Sequence, residues 1–324
     1  MRKAGRARKF VPASPPLTGQ RDGNLQRERF ILCGMAHDSM TLTRPPGARD
    51  DWTIDQGWDA YTQAEHDVWI TLYERQTALL PGRACDPFLN GLDALDLHRA
   101  GIPDFNRINE ELKRLTGWTV VAVPGLVPDE VFFEHLANRR FPAGQFIRRA
   151  DQLDYLQEPD VFHDVFGHVP MLTDPTFADY MQAYGQGGLR ALGLGQLHNL
   201  ARLYWYTVEF GLLETPQGLR IYGAGIVSSH AESIFALDDP SPNRLGFDLE
   251  RTMRTPYRID DFQQAYFVIP SLQALLDATL ADFGALYVYL AGAKDIPIEA
   301  ILPTDKVFTR GTQAYARRGG RTAA

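Results

Sequence analysis

Cysteine is nearly missing: the 324 residues contain two, Cys33 and Cys85. Their separation fits no metal-ligand spacing, and two thiols make no disulfide framework. The usage is that of a soluble protein from a reducing compartment, with the cytoplasm as the default. No apolar run approaches the ~20 residues of a membrane span, and no apolar stretch follows the charged start as a secretion signal would require. Acidic residues are absent from both ends: MRKAGRARKF (1–10) and KVFTRGTQAYARRGGRTAA (306–324) carry five positive charges each. The net charge of −7 therefore conceals a body at −17 once those ten are set aside. Such a body is a poor binder of nucleic-acid phosphates, which need clustered Lys and Arg on a folded surface. The tails read first as solvated ends, ahead of any nucleic-acid or membrane-surface role. The Arg-rich start also lacks the repeated apolar face of a transit peptide.

Equally absent are internal repeats, long low-complexity linkers and the strand–helix alternation of a dinucleotide-binding domain. What is present, 44% hydrophobic and 11% aromatic residues, suffices for a sizeable core. Residues 11–28 form a Pro-, Gly- and polar-rich lead-in, and order is expected from Phe30. Helical intervals mark 58–80, which closes before Pro81-Gly82, and two short helices within 93–117 broken at Gly101-Ile102-Pro103. Further helices are expected at 128–138, 175–185, 196–214 and 271–290, and the β-branched WTVVAVPG (118–125) is the best strand. The expected fold is mostly α (α+β). One helical domain with a few short strands spans 30–305, between a lead-in over 1–29 and a basic flexible tail over 306–324.

The segment EPDVFHDVFGHVP (158–170) places His163 and His168 five apart. On an ideal α-helix that spacing leaves them about 140° apart in projection, whereas a spacing of four brings them within about 40°. Gly167 supplies freedom for a short helix begun at Pro159 to loosen and turn His168 inward before Pro170. The zinc-protease pattern H-E-x-x-H fails, since His168 is one residue late and Asp164 stands where its Glu would be. On this stretch alone, a metal pair and a structural pair both remain open. Glu209 adds to it: within LHNLARLYWYTVEFGLLE (197–214) it lies among apolar and aromatic residues, where a carboxylate needs a partner or a metal. The plain alternative is a head group reaching solvent, Arg202 or Arg190. Two histidines and one carboxylate make the facial triad of non-haem ferrous iron, which leaves coordination positions for oxygen and a co-substrate. YGAGIVSS (222–229) lacks the Lys of a phosphate loop and fails the dinucleotide fingerprint, so it reads as a close-packed turn.

EPDVFHDVFGHVPML, LYWYTVEFGLL (203–213) and YGAGIVSS, together with the earlier DQGWDAYTQAEHDVWITLYERQ (55–76), resemble the pterin-dependent aromatic amino acid hydroxylases. The resemblance is closest to the short bacterial phenylalanine-hydroxylating branch and covers roughly 30–305. It implies His163, His168 and Glu209 as iron ligands. It puts Arg148 on the amino acid's carboxylate, with Arg149 as the near-miss alternative, Trp205 in the substrate pocket, and Ser228 beside substrate and iron. The implied pterin site comprises the backbone of 125–128 with Leu126 and Val127, Phe132 stacked on the cofactor ring, Asp164 and Tyr204. Ferrous iron, a tetrahydropterin and O2 are the implied reagents, and conversion of phenylalanine to tyrosine the implied reaction. Two departures from the animal members stand out: Leu156-Gln157 replace their Thr-Pro, and Asp164 is shorter than their Glu, so its reach to the pterin calls for a water. With no long preceding regulatory region and no C-terminal heptad helix, a monomer is expected. Tryptophan or tyrosine as substrate, a zinc hydrolase, and a non-enzymatic binding protein whose tails engage nucleic acid are the rival readings.

Overall fold

The computed structural model describes residues 30–32, 35–37, 42–97, 101–154, 158–259, 261–281 and 283–319. The expected lead-in over 1–29 and the Leu156-Gln157 departure lie outside them. A small hairpin, β1 (Phe30–Leu32) and β2 (Met35–His37), precedes α1 (Gln63–Leu79). Thr62 and Glu65 close the start of α1 as a capping box, each side chain accepting the other's backbone N–H. The helix buries Val68, Trp69, Leu72 and Gln76 and ends just before Pro81-Gly82. α2 (Asp86–Ala94) lies earlier than the first helix expected within 93–117, because Asp96 turns the chain with a left-handed φ of 51°. α3 (Phe105–Thr116) is held between the Asp104 cap and Gly117, whose φ of 75° suits glycine.

β3 (Thr119–Val123), α4 (Asp129–Ala137) and β4 (Arg140–Gly144) form a parallel strand–helix–strand unit. The sequence concealed it because β4 reads RFPAG, with Pro and Gly where strands are poorest in them. It remains a two-stranded sheet, too small for the crevice of a dinucleotide domain. α5 (Pro175–Leu194) is capped by Asp174, which accepts the N–H groups of Thr176 and Phe177, and runs past the expected end at 185 to Gly195. Two of its glycines, Gly185 and Gly188, are contact points. A Cβ on Gly185 would stand 2.4 Å from the Ala137 nitrogen, and one on Gly188 2.0 Å from the ring of Phe133. α4 lies directly on α5, and the approach is possible only because those side chains are missing.

The helix expected over 196–214 is shorter: α6 (Leu197–Tyr204) passes into a π segment, Trp205–Glu209, and then into β5 (Leu212–Thr215). β6 (Gly218–Ile221), α7 (Ala224–Val227), α8 (His230–Asp238), β7 (Asn243–Gly246), α9 (Leu249–Met253) and β8 (Ala265–Ile269) follow. The expected helix over 271–290 is two, α10 (Leu272–Thr279) and α11 (Gly284–Leu290). The supposed flexible tail is folded as far as the structure describes it. β9 (Val307–Thr309) pairs antiparallel with β7 and completes a five-stranded sheet ordered β6-β5-β8-β7-β9, and α12 (Ala314–Arg317) follows. Tyr315 of α12 packs its ring against Phe235 and Phe262 and donates its hydroxyl to Asp261 at 2.7 Å. Charge counts had suggested a solvated tail, but strand pairing and one buried-edge tyrosine decide otherwise. The architecture is thus α+β and predominantly helical, and no helix among the described residues is long and apolar enough to cross a membrane.

Gly188→Ala is expected to destabilise the fold by about 1–3 kcal/mol, because overpacking against Phe133 outweighs the gain in helix propensity of about 1 kcal/mol. Thermal or urea unfolding of the variant checks this; equal or greater stability would show that α4 can retreat freely.

Candidate metal centre

His163 and His168 lie on a π segment, Phe162–His168, in place of the loosened α-helix expected there. Bonding from i to i+5 widens each turn, so residues five apart return to one side, and the spacing that disfavoured a shared metal on an α-helix favours it here. Gly167 contributes differently from the expected hinge: a Cβ there would stand 3.0 Å from the carbonyl oxygen of Ala224, so it lets α7 approach. Glu209 ends the second π segment, in which the Phe210 N–H reaches the Trp205 carbonyl at 2.8 Å. Gly223 packs against that end, since its missing Cβ would meet the Glu209 carbonyl oxygen at 2.4 Å. The YGAGIVSS segment is therefore the close-packed turn expected, and its small residues clamp both π segments.

The donor atoms converge. His163 Nε2 lies 3.3 Å from His168 Nε2 and 3.6 Å from Glu209 Oε2, and His168 Nε2 lies 3.3 Å from Glu209 Oε1. One atom from each of the three falls within 4.8 Å of the others, in a site where His168 and Glu209 are almost wholly buried. Ser228 fixes the proton count. Its hydroxyl donates to the Ala224 carbonyl at 2.7 Å, so at 3.0 Å it accepts the N–H of His163 Nδ1 and leaves the Nε2 lone pair facing the cluster. Burial pushes the His163 pKa down, favouring the neutral ring a metal needs. For Glu209 burial acts upward, but the two histidines outweigh it and hold the carboxyl below its usual range, ionised. The His163 lone pair and both carboxylate oxygens thus face one another with at most the Nε2 proton of His168 to share. Glu209 Oε1 is buried with the His168 ring nitrogen 3.3 Å away and no well-aligned donor among the described residues. A divalent cation among these atoms relieves all of this at once, and a nitrogen–nitrogen–oxygen set suits iron(II).

Arg148 is buried, and its guanidinium is gripped side-on by Asp160 through Nε and Nη2, both at 2.8 Å. The free two-pronged clamp expected for a substrate is therefore already half engaged. The Nη1/Nη2 edge is the one turned to other partners, and among the described residues its further contact is the Leu153 carbonyl, at 3.4 Å. Arg149, the near-miss alternative, is exposed and paired with Asp151. Asp160 escaped the sequence reading. It also accepts the backbone N–H groups of Arg148 and His163, so one carboxylate ties the arginine to the ligand-bearing segment. Its one signal was an acid directly after Pro159. Trp205 is buried, lying flat against Tyr257 at 4.3 Å between centroids and tilted against Phe210 at 4.6 Å.

On the expected pterin side, Asp164 is buried and accepts the Gly144 N–H at 2.7 Å. Val127 is buried and Leu126 half-buried. Phe132 corrects the expectation of a stacking platform. It is 0% exposed, with Phe133 and Tyr204 set edge-on to its ring. It supports Tyr204, which leans at 6.3 Å on the His168 ring.

A buried cluster of two histidines and one carboxylate on an α+β frame has the donor set of non-haem iron(II) enzymes. Residues 58–285 match the family model of the biopterin-dependent aromatic amino acid hydroxylases. The phenylalanine-4-hydroxylase of Caulobacter vibrioides is 78% identical over 289 residues, covering 89% of this chain and 98% of its own. That of Ralstonia nicotianae is 60% identical, with 94% of each chain covered. The iron- and phenylalanine-bound crystal structure of the Chromobacterium violaceum phenylalanine hydroxylase superposes with a TM-score of 0.77 at 58% identity, covering 80% of this chain and 94% of that one. The chain belongs to the biopterin-dependent aromatic amino acid hydroxylases.

His163→Ala is expected to abolish stoichiometric iron binding while leaving the melting profile of the apoprotein close to that of the unsubstituted chain. Ser228→Ala, which frees the ring without removing it, should weaken iron binding roughly 10–100-fold. Iron titration followed by elemental analysis reads both, and a His163→Ala protein that retains full iron would refute the ligand assignment.

Proposed function

We propose that this protein is a monooxygenase that hydroxylates L-phenylalanine to L-tyrosine, using iron(II), a tetrahydropterin and O2. The observation that carries the reading is the buried convergence of His163, His168 and Glu209, within a chain so similar to phenylalanine hydroxylases. When bound, iron supplies, with the tetrahydropterin as reductant, the activation of O2 that ring hydroxylation needs. The remaining work falls to the protein. His163, His168 and Glu209 would hold the metal, and Ser228 keeps His163 in the ligating tautomer. Arg148, braced by Asp160, takes the substrate carboxylate on its remaining edge as a charge-assisted pair. Trp205, with Tyr257 and Phe210 behind it, offers an aromatic wall to the substrate ring. Asp164, Tyr204 and the backbone at Leu126 and Val127 form the pterin side, with Phe132 as support. Placing reagents side by side in a space closed to water is the main contribution such a site makes.

In this reading the catalytic unit runs past residue 305 to include β9 and α12, and the protein acts as a monomer in the cytoplasm. The free, buried Cys85 thiol supports a reducing compartment.

The test is tyrosine formation from phenylalanine with ferrous iron and a reduced pterin in air, beside tryptophan and tyrosine as competing substrates and with single omissions. Tyrosine only in the complete mixture supports the reading; no product from iron-loaded protein with any of the three sinks it. Arg148→Ala is expected to raise the KM for phenylalanine by roughly 10- to 100-fold, the loss of a charge-assisted pair, with little change in that for the pterin. A change confined to the pterin would move Arg148 to the other site.

A further inference from the structure

Gln263 closes the segment between α9 and β8, 1% exposed, with both ends of its carboxamide engaged. Its Oε1 accepts the indole N–H of Trp205 at 3.0 Å, while Nε2 donates to the carbonyls of Arg258 at 2.8 Å and Asp261 at 3.2 Å. One side chain therefore joins the π segment that carries Glu209 to two points of the 254–263 loop. Tyr257, in that loop, lies on the indole with 13° between the ring planes. Stack and hydrogen bond constrain different motions. Stacking fixes the height and tilt of the indole but lets it turn in its own plane, whereas a bond to the ring nitrogen stops that rotation.

We propose that Gln263 is a positioning residue for the aromatic substrate: through Trp205 it sets the pocket wall, and hence where the substrate ring rests relative to the metal ligands. The proposal rests on the hydroxylase reading and on Trp205 as part of that wall. Without the acceptor, the indole turns and the loop loses its tie to the π segment. Phenylalanine then binds less well, and more turnovers end without hydroxylation. In such turnovers two electrons and two protons pass from the tetrahydropterin to O2, which leaves as hydrogen peroxide.

Gln263→Met removes the carboxamide at nearly constant volume and is measured in the iron-loaded, full-length enzyme. Loss of a buried hydrogen bond is expected to raise the KM for phenylalanine roughly tenfold and to lower the tyrosine formed per tetrahydropterin oxidised. Iron content should be unchanged. In a Trp205→Phe background, which has no indole N–H, the same replacement should alter KM by less than about twofold, because the two residues act as one unit. Equal effects in both backgrounds, or no effect in a variant with full iron and an unchanged melting temperature, overturn the proposal. Should Gln263→Met fail to fold, Trp205→Phe alone decides: it breaks the same bond from the other side, and an unaltered KM and coupling ratio overturn the proposal. The unsubstituted enzyme is the control for the parent reading. If it makes no tyrosine, both fall; if it does and the cycle is additive, only the positioning role falls.

Discussion

Electron-rich atoms that would repel one another are forced together where water cannot relieve them, and most of the molecule's local peculiarities serve that placement. A carboxylate among aromatic side chains and a ring nitrogen with its lone pair turned inward each cost free energy alone. Together they form a negative pocket whose stability is tied to a cation. Ser228 commits the tautomer of His163, and Asp160 locks the start of that segment to Arg148. The protein thus keeps its ligands aimed before any metal arrives, so little reorganisation is left for binding.

That aim depends on close backbone packing. Two π segments, rare in helical proteins, face each other and are clasped by α7, and glycines stand at the points of contact: Gly167 under Ala224, and Gly223 under Glu209. A second set, Gly185 and Gly188, performs the same service between α4 and α5. The residues that lower helix propensity in isolation are those that bring elements within reach of one another. Packing, rather than propensity, decides where these helices begin and end.

This explains which parts were legible in the sequence. α3 and the end of α1 could be read locally, because their stop signals, Gly117 and Pro81-Gly82, stand beside the element, whereas α1 begins at Gln63 rather than at the expected 58. α5 appeared too short because the meaning of its glycines depends on Phe133 and Ala137, which are distant in sequence. β4 was concealed by Pro142 and Gly144, and β9 by its three-residue length between Lys306 and Arg310, since strand pairing is a long-range property. The ligand trio was visible in spacing and resemblance together. The five-residue gap taken as an obstacle proved to be the signature of a π turn. Asp160 stayed hidden because a carboxylate's partner cannot be read from one chain segment, and the burial of Phe132 because Tyr204, which closes on its ring, is distant in sequence.

The order of parts along the chain also matters to a polypeptide still being made. The three donors and Ser228 all lie within residues 163–228, whereas Tyr257 and Gln263, which secure the Trp205 wall, come later. Last come β9, which covers the edge of β7, and Tyr315, which braces the loop from behind through Asp261. The residues that converge on the candidate metal site are therefore synthesised before those that brace Trp205. A chain stopped before β9 would carry the donor cluster but leave the edge of β7 uncovered and the loop without its Tyr315 brace.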